Sequence, residues 1–129
     1  MIRLLALDMD GTCLNGRSRM TEETIRTIRK AADAGIIIVP TSGRPLTCLP
    51  YQMTQEKGLY RYTITSNGAQ VVDLEEKKTL FRMLMKRERV VQFLRECEEL
   101  NVVRMTHIQH RYVMEGPLME VAGRFVYGR

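Results

Sequence analysis

Leu4-Leu5-Ala6-Leu7-Asp8-Met9-Asp10-Gly11-Thr12 decides how the rest of this chain is read. The run from Ile2 to Leu7 is almost wholly apolar, without polar alternation, which suits a short strand buried on both faces of a parallel sheet. Such a strand delivers its next residues to the carboxyl edge of the sheet, where ligands sit in open α/β folds. Here those residues are two acids one position apart. Like charges a few ångströms apart repel, and a divalent cation relieves the repulsion; hard oxygen ligands suit Mg²⁺. Gly11 allows a sharp exit from the strand, and Thr12 adds a hydroxyl to the same loop. Taken alone, the stretch also reads as two turn acids and a turn-forming glycine.

Working outward, Thr21 is a plausible N-cap followed by Glu22 and Glu23, where a helix dipole favours acids. Ile25, Ile28 and Ala32 share one face of the predicted helix, and Gly35 stops it in the left-handed position. Ile36 to Val39 is a second apolar, β-branched strand. Strand, helix and strand of these lengths form a parallel βαβ unit. Pro40-Thr41-Ser42-Gly43-Arg44-Pro45 follows at once, and its small residues let backbone N–H groups approach an anion. It also reads as a plain strand-to-helix turn. Pro45 suits the start of a helix whose apolar face is Leu46, Leu49 and Met53; Pro50 should distort it, giving a short or bent helix that ends by Gly58. A third strand, Tyr62 to Thr65, runs into Ser66-Asn67-Gly68-Ala69. Asn-Gly is a common hairpin turn, but the flanking hairpin is better drawn from Gln70–Val72 and Thr79–Phe81 around the charged 73–78 turn.

Three stretches together resemble the haloacid dehalogenase superfamily in its Cof-type phosphatase branch. Asp8-Met9-Asp10-Gly11-Thr12 is similar to the first motif of that family, and Ser42-Gly43-Arg44-Pro45 to its second, with serine in place of threonine. Ser66-Asn67-Gly68-Ala69 is similar to the strand end beside the catalytic centre. The resemblance implies an α/β fold: a parallel, Rossmann-like core over residues 1–82 and the beginning of an inserted α/β cap over 83–129. It implies that Asp8 is the nucleophile and Asp10 the general acid and base. Mg²⁺ would be held by the Asp8 carboxylate and the Asp10 carbonyl. Met9, Ser42, Gly43, Arg44 and Asn67 would surround the phosphate, although Arg44 could equally pair with a local acid. The implied activity is Mg²⁺-dependent hydrolysis of small phosphorylated metabolites.

Beyond Met83, an amphipathic helix over Arg87–Leu100 precedes two strands, Val102–Ile108 and Tyr112–Met114, around Gln109-His110. His107 and His110 read as surface or structural histidines more readily than as metal ligands. A short helix near Leu118–Ala122 is the one element expected in the tail. The family's later lysine and its acidic Gly-Asp loop are not found: no aspartate follows Asp73 and no Gly-Asp pair occurs. The 129 residues therefore read as the first half of such an enzyme, stopped inside its cap. A non-catalytic phosphate-binding or interaction module on the same half-fold is the alternative. The Ile2–Leu7 strand is then expected at a sheet edge and covered by a second copy in a homo-oligomer.

Composition fits this picture. Hydrophobic residues make up 44% and charged residues 27%, as in a globular chain. Cys13, Cys48 and Cys97 form no C-x-x-C pair, which suits reduced thiols in a cytoplasm. No signal peptide pattern appears and no apolar run approaches the ~20 residues of a membrane span. The formal net charge of +5 is scattered, with no nucleic-acid motif, so neither nucleic acid nor membrane is an expected partner.

Overall fold

A computed structural model describes residues 2–50, 52–53, 58–100, 102–108 and 110–116. The chain divides into two compact units, Met1–Met83 and Leu84–Arg129.

Among the described residues the first unit has a helix packed on a five-stranded sheet of order β1-β2-β3-β4-β5. Its strands are β1 (Leu4–Asp8), β2 (Ile37–Thr41), β3 (Tyr62–Thr65), β4 (Gln70–Asp73) and β5 (Lys78–Arg82). β1, β2 and β3 are parallel, whereas β4 and β5 return antiparallel as the expected hairpin. Helix α1 (Glu22–Asp33) links β1 to β2. The Thr21 hydroxyl accepts from the Thr24 N–H, with Glu22 and Glu23 in the first turn, so cap and dipole act together. Gly35, at φ +83°, lets its own N–H and that of Ile36 close on the last helical carbonyls.

The core gathers Met9, Leu14, Met20, Ile28, Ile38, Leu49, Met53, Leu59 and Tyr60, with Leu5 and Leu7 packed against it. β1 is therefore covered on one face, not both as its composition suggested. Leu5 and Leu7 point inward, while Leu4 on the other face is 54% exposed. Period-2 alternation explains this: one face of an apolar strand is covered only if something packs on it. After β2 the chain makes a 3₁₀ turn, Leu46–Cys48, with Pro45 as its N-cap. Leu49 is extended at ψ 144°, as the residue before a proline prefers, so the helix expected to be short or bent is a short turn interrupted ahead of Pro50. Leu49 and Met53 still reach the core.

Hydroxyls and carboxylates inside this unit are partnered. Pro40 sits within β2 and has no N–H; the buried Thr63 hydroxyl donates to its carbonyl at 3.1 Å. Asp73 is 2% exposed and accepts from Arg61 Nε at 2.9 Å and from the Glu75 and Glu76 amides at 3.0 Å. These bonds tie the 73–78 turn to β3.

In the second unit, α2 (Arg87–Glu96) ends at Cys97 and continues as a 3₁₀ turn, Glu98–Leu100. The helix is one turn shorter than its periodicity predicts, and Phe93 on its apolar face is 56% exposed. β6 (Arg104–Ile108) and β7 (Arg111–Glu115) form an antiparallel pair. Arg104 joins these elements, donating to the Leu94 carbonyl at 2.9 Å and lying 3.6 Å from Glu115. His107 packs edge-on against Tyr112, with ring centroids 4.6 Å apart. Gln109 and the expected 118–122 helix lie outside the described residues.

Two expectations follow. The Glu76 amide, then the Arg61 guanidinium and the Glu75 amide, outweigh burial and hold the Asp73 carboxyl below its ordinary range. A depressed native pKa contributes stability above the unfolded value of about 3.9, lost as pH falls through the lower native value. Thermal unfolding of Asp73→Asn should begin at lower temperature at neutral pH and fall less steeply below pH ~4 than the parent; parallel pH curves would refute the assignment. Among the described residues β1 is also an outer strand with exposed apolar side chains, a template for pairing. Sedimentation at low micromolar concentration should show self-association that Leu4→Lys weakens. A parent chain that stays monomeric at all concentrations would refute edge pairing.

Candidate active site

Strand register assembles the candidate site. Asp8, the last residue of β1, is level with Thr41, the last of β2, and Thr41 is level with Ile64 in β3. The loops leaving these parallel strands therefore share one carboxyl edge. The Ser42 N–H donates to the Ile64 carbonyl at 3.0 Å, the Asn67 N–H to the Ser42 carbonyl at 3.2 Å and the Ser66 N–H to the Arg44 carbonyl at 3.0 Å. The Ser42–Arg44 loop is thereby stitched to the end of β3. Gly43 lies so close to Asn67 that a Cβ there would meet its Oδ1 at 2.8 Å; only glycine fits without displacing Asn67. Ser66 and Asn67 are both left-handed, at φ 52° and 54°, strain of the kind that recurs at functional sites.

The first loop is built around Met9. Its side chain is 1% exposed, and its carbonyl accepts from the Thr12, Cys13 and Leu14 amides. The Met9 side chain is thus packed into the core and not toward the exposed carboxylates. This tight turn projects Asp8 and Asp10 outward, both exposed. The Thr12 hydroxyl donates to Asp8 Oδ2 at 2.8 Å and orients that carboxylate. Burial first, then the Asp8 charge, push the Cys13 thiol up, which keeps it protonated and a poor nucleophile.

Arg44 takes the local acid that the sequence left as one of its options. Its Nη2 donates to Asp10 Oδ1 at 2.6 Å and its Nε to Oδ2 at 3.0 Å. This two-pronged geometry is the strong form of a guanidinium–carboxylate contact. The same guanidinium donates to Ser18 Oγ at 3.2 Å and to the Cys48 carbonyl. Ser42 Oγ accepts from the Arg44 N–H at 3.0 Å and lies 3.5 Å from Asp10 Oδ2. One connected set thus holds Asp10, Ser42 and Arg44, with Gly43 and Asn67 adjoining and Asp8 in register beside them. Ser18 was not singled out by sequence. Its signal was Asn15, which starts a turn of the Asx type two residues ahead of Arg17.

The oxygen donors here, the Asp8 carboxylate and the Asp10 carbonyl, suit a hard cation that keeps much of its water. Among the described residues no group of three or more His, Cys, Asp or Glu side chains could by itself hold a metal. No helix among them is long and apolar enough to cross a membrane.

A family model described as haloacid dehalogenase-like hydrolase matches residues 5–122. Over 84 residues the chain is 38% identical to 5-amino-6-(5-phospho-D-ribitylamino)uracil phosphatase of Bacillus subtilis, a match spanning 61% of this chain and 33% of that protein. Over 75 residues it is 36% identical to the HMP-PP phosphatase of Yersinia pestis, spanning 58% of this chain and 27% of that protein. A solved HAD subclass IIB sugar phosphatase shares the fold with a TM-score of 0.82 at 23% identity, over 98% of this chain and 48% of that structure. The chain thus spans about half the length of that structure, and its matches cover a third or less of these curated relatives.

The fork between Arg44 and Asp10 is half open to water, with side chains 24% and 49% exposed. A double-mutant cycle of Asp10→Asn and Arg44→Gln, read by denaturant unfolding, should give a coupling of about 1 kcal/mol, at the upper end for a part-exposed pair. Strict additivity would show that the contact does not hold the loops.

Proposed function

The chain belongs to the haloacid dehalogenase-like hydrolases, and from that premise we propose a phosphomonoester hydrolase that works through an aspartyl-phosphate on Asp8. The observation that carries this reading is the register of Asp8 with Thr41, which sets a carboxylate beside the stitched Ser42–Gly43 loop. Small phosphorylated metabolites are the proposed substrates, the class to which the substrate named for the Bacillus subtilis relative belongs.

Each residue then has a task its contacts support. Asp8, with Oδ2 oriented by Thr12, attacks phosphorus; a P–O bond to Asp8 forms as the bond to the leaving oxygen breaks. Asp10 gives a proton to that oxygen. It next takes one from a water that attacks the aspartyl-phosphate, freeing Asp8 and orthophosphate. The guanidinium of Arg44 spans both Asp10 oxygens, so it must release one before Asp10 can turn a proton toward the substrate. Ser42, through its hydroxyl and backbone, and the Met9 and Gly43 backbones surround the phosphoryl oxygens. Asn67, packed against Gly43, sits at the rim. The Asp8 carboxylate and Asp10 carbonyl would hold Mg²⁺. Bound there, the ion offsets the negative charge shared by the carboxylate and the phosphoryl group.

Residues 1–82 are assigned to the catalytic core and 83–129 to an α/β cap, a division supported by the separation of the units between Met83 and Leu84.

Release of p-nitrophenol from its phosphate ester in the presence of Mg²⁺ tests the reading. Asp8→Asn should lower the rate at least ~1,000-fold, and Asp10→Asn by about 100-fold or more. Acid-quenched parent protein should carry one phosphoryl group, absent from Asp8→Asn. Turnover that survives Asp8→Asn would refute the mechanism. Phosphate binding without turnover, equal in both proteins, would point to the non-catalytic module.

A further inference from the structure

The loop after the first motif is a built structure, although its sequence, Asn15-Gly16-Arg17-Ser18-Arg19, reads as a plain polar connection. Asn15 Oδ1 accepts from the Arg17 N–H at 2.9 Å and the Arg19 N–H at 3.2 Å. The Ser18 N–H donates to the Asn15 carbonyl and the Asn15 N–H to the Arg19 carbonyl, each at 2.9 Å. Ser18 is left-handed at φ 54°. Beyond the loop, Met20 is buried, and the Gln52 amide clasps its backbone, accepting from the N–H at 2.9 Å and donating to the carbonyl at 3.4 Å. The loop is therefore closed on itself and pinned at its exit.

That frame holds two guanidinium-bearing residues at solvent. Arg17, Ser18, Arg19, Pro50 and Gln52 line a recess of about 390 Å³, a size that accommodates part of a small metabolite. Among the described residues no carboxylate lines it, and none pairs with the Arg17 or Arg19 side chain. Two neighbouring cations without a counter-charge repel, and an oxyanion relieves that repulsion. Guanidinium forks match phosphate oxygens two at a time, and two positive charges match one phosphoryl dianion. The recess also adjoins the candidate active site. Ser18 on its wall takes a hydrogen bond from Arg44 Nη2, the nitrogen that holds Asp10 Oδ1. Asp10 is the group proposed to face the leaving oxygen, so the recess lies on the leaving-group side.

We propose that Arg17 and Arg19 form a second phosphoryl subsite. The substrates would then be small molecules bearing two phosphoryl groups on a short carbon spacer, one cleaved beside Asp8 and the other gripped by this loop. The assignment rests on the phosphatase reading of the Asp8–Ser42 site and adds to it the class of leaving group.

Two non-hydrolysable probes test it by calorimetric titration of the full chain with Mg²⁺: butyl phosphonate and butane bisphosphonate. The bisphosphonate should bind at least about tenfold more tightly, beyond the roughly twofold advantage of having two ends. In Arg17→Ala/Arg19→Ala that preference should collapse to about the twofold statistical factor, with butyl phosphonate affinity unchanged. The Arg17→Lys/Arg19→Lys protein should keep part of it. Circular dichroism and the unfolding temperature report whether each variant keeps its fold, which these exposed positions should allow. Equal affinity of the parent for both probes, or a preference that survives the double alanine variant, would overturn the subsite. Failure of the phosphatase reading is seen separately, in the monophosphonate arm: if butyl phosphonate does not bind, or binds equally well to Ser42→Ala, the phosphate site itself is wrong and the subsite falls with it.

Discussion

Three backbone hydrogen bonds between the Ser42–Arg44 loop and the segment from Ile64 to Asn67 govern this chain. They extend the parallel pairing of β2 and β3 past the strand ends. Ordinarily a loop leaves the sheet at that point and orders itself locally. Here it remains in the ladder's register, so Ser42, Gly43 and Arg44 inherit the position of the strands. Because β1 is paired residue for residue with β2, the same register carries Asp8 to its place. A slip of one residue would turn each side chain to the opposite face and separate the Asp8 carboxylate from the Ser42–Arg44 loop. The close contact of Gly43 with Asn67 follows from this register, and so does the requirement for glycine there.

The charges obey that frame. Asp8 and Asp10 leave a turn whose three amides converge on the Met9 carbonyl, so the backbone, not the side chains, sets their directions. Arg44 then compensates Asp10, and Thr12 engages Asp8. The acids are thus treated differently by their surroundings: one is held by a cation and the other by a hydroxyl. Distinct settings for paired carboxylates are what the proposed roles of nucleophile and proton carrier would require. Cys13, partly buried beside Asp8, stays a thiol because burial first and then the Asp8 charge push it up.

Packing around the site is one-sided in a way that reveals how it is supported. Met9, Leu14 and Met20 all bury their side chains in the core, and the exposed loops between them carry the polar groups. Asp8, Asp10 and Thr12 therefore sit one or two positions from residues fixed by hydrophobic burial, which keeps a short loop precise in position without a long run of its own structure.

Much of this was legible in the residues themselves. The apolar run before Asp8 and the β-branched run before Pro40 announced strands, Thr21 and Gly35 bounded a helix, and the three motif stretches announced a family. These signals are local: burial period, capping and turn chemistry act over a few residues. Composition alone did not reveal the exposed outer face of β1, because it states what a strand can bury and not whether anything covers it; the reading of the chain as a half-fold did imply bare sheet faces there. The distortion expected at Pro50 was legible too, and it falls on Leu49 because a proline restricts the residue before it. Arg44 marks the boundary most clearly. Its sequence position allowed a substrate or an acid as partner, and Asp10 lies 34 residues away. Only the stacking of β1 beside β2 brings the two within hydrogen-bond reach, because distance along the chain carries no information about distance in space until the sheet's register is set.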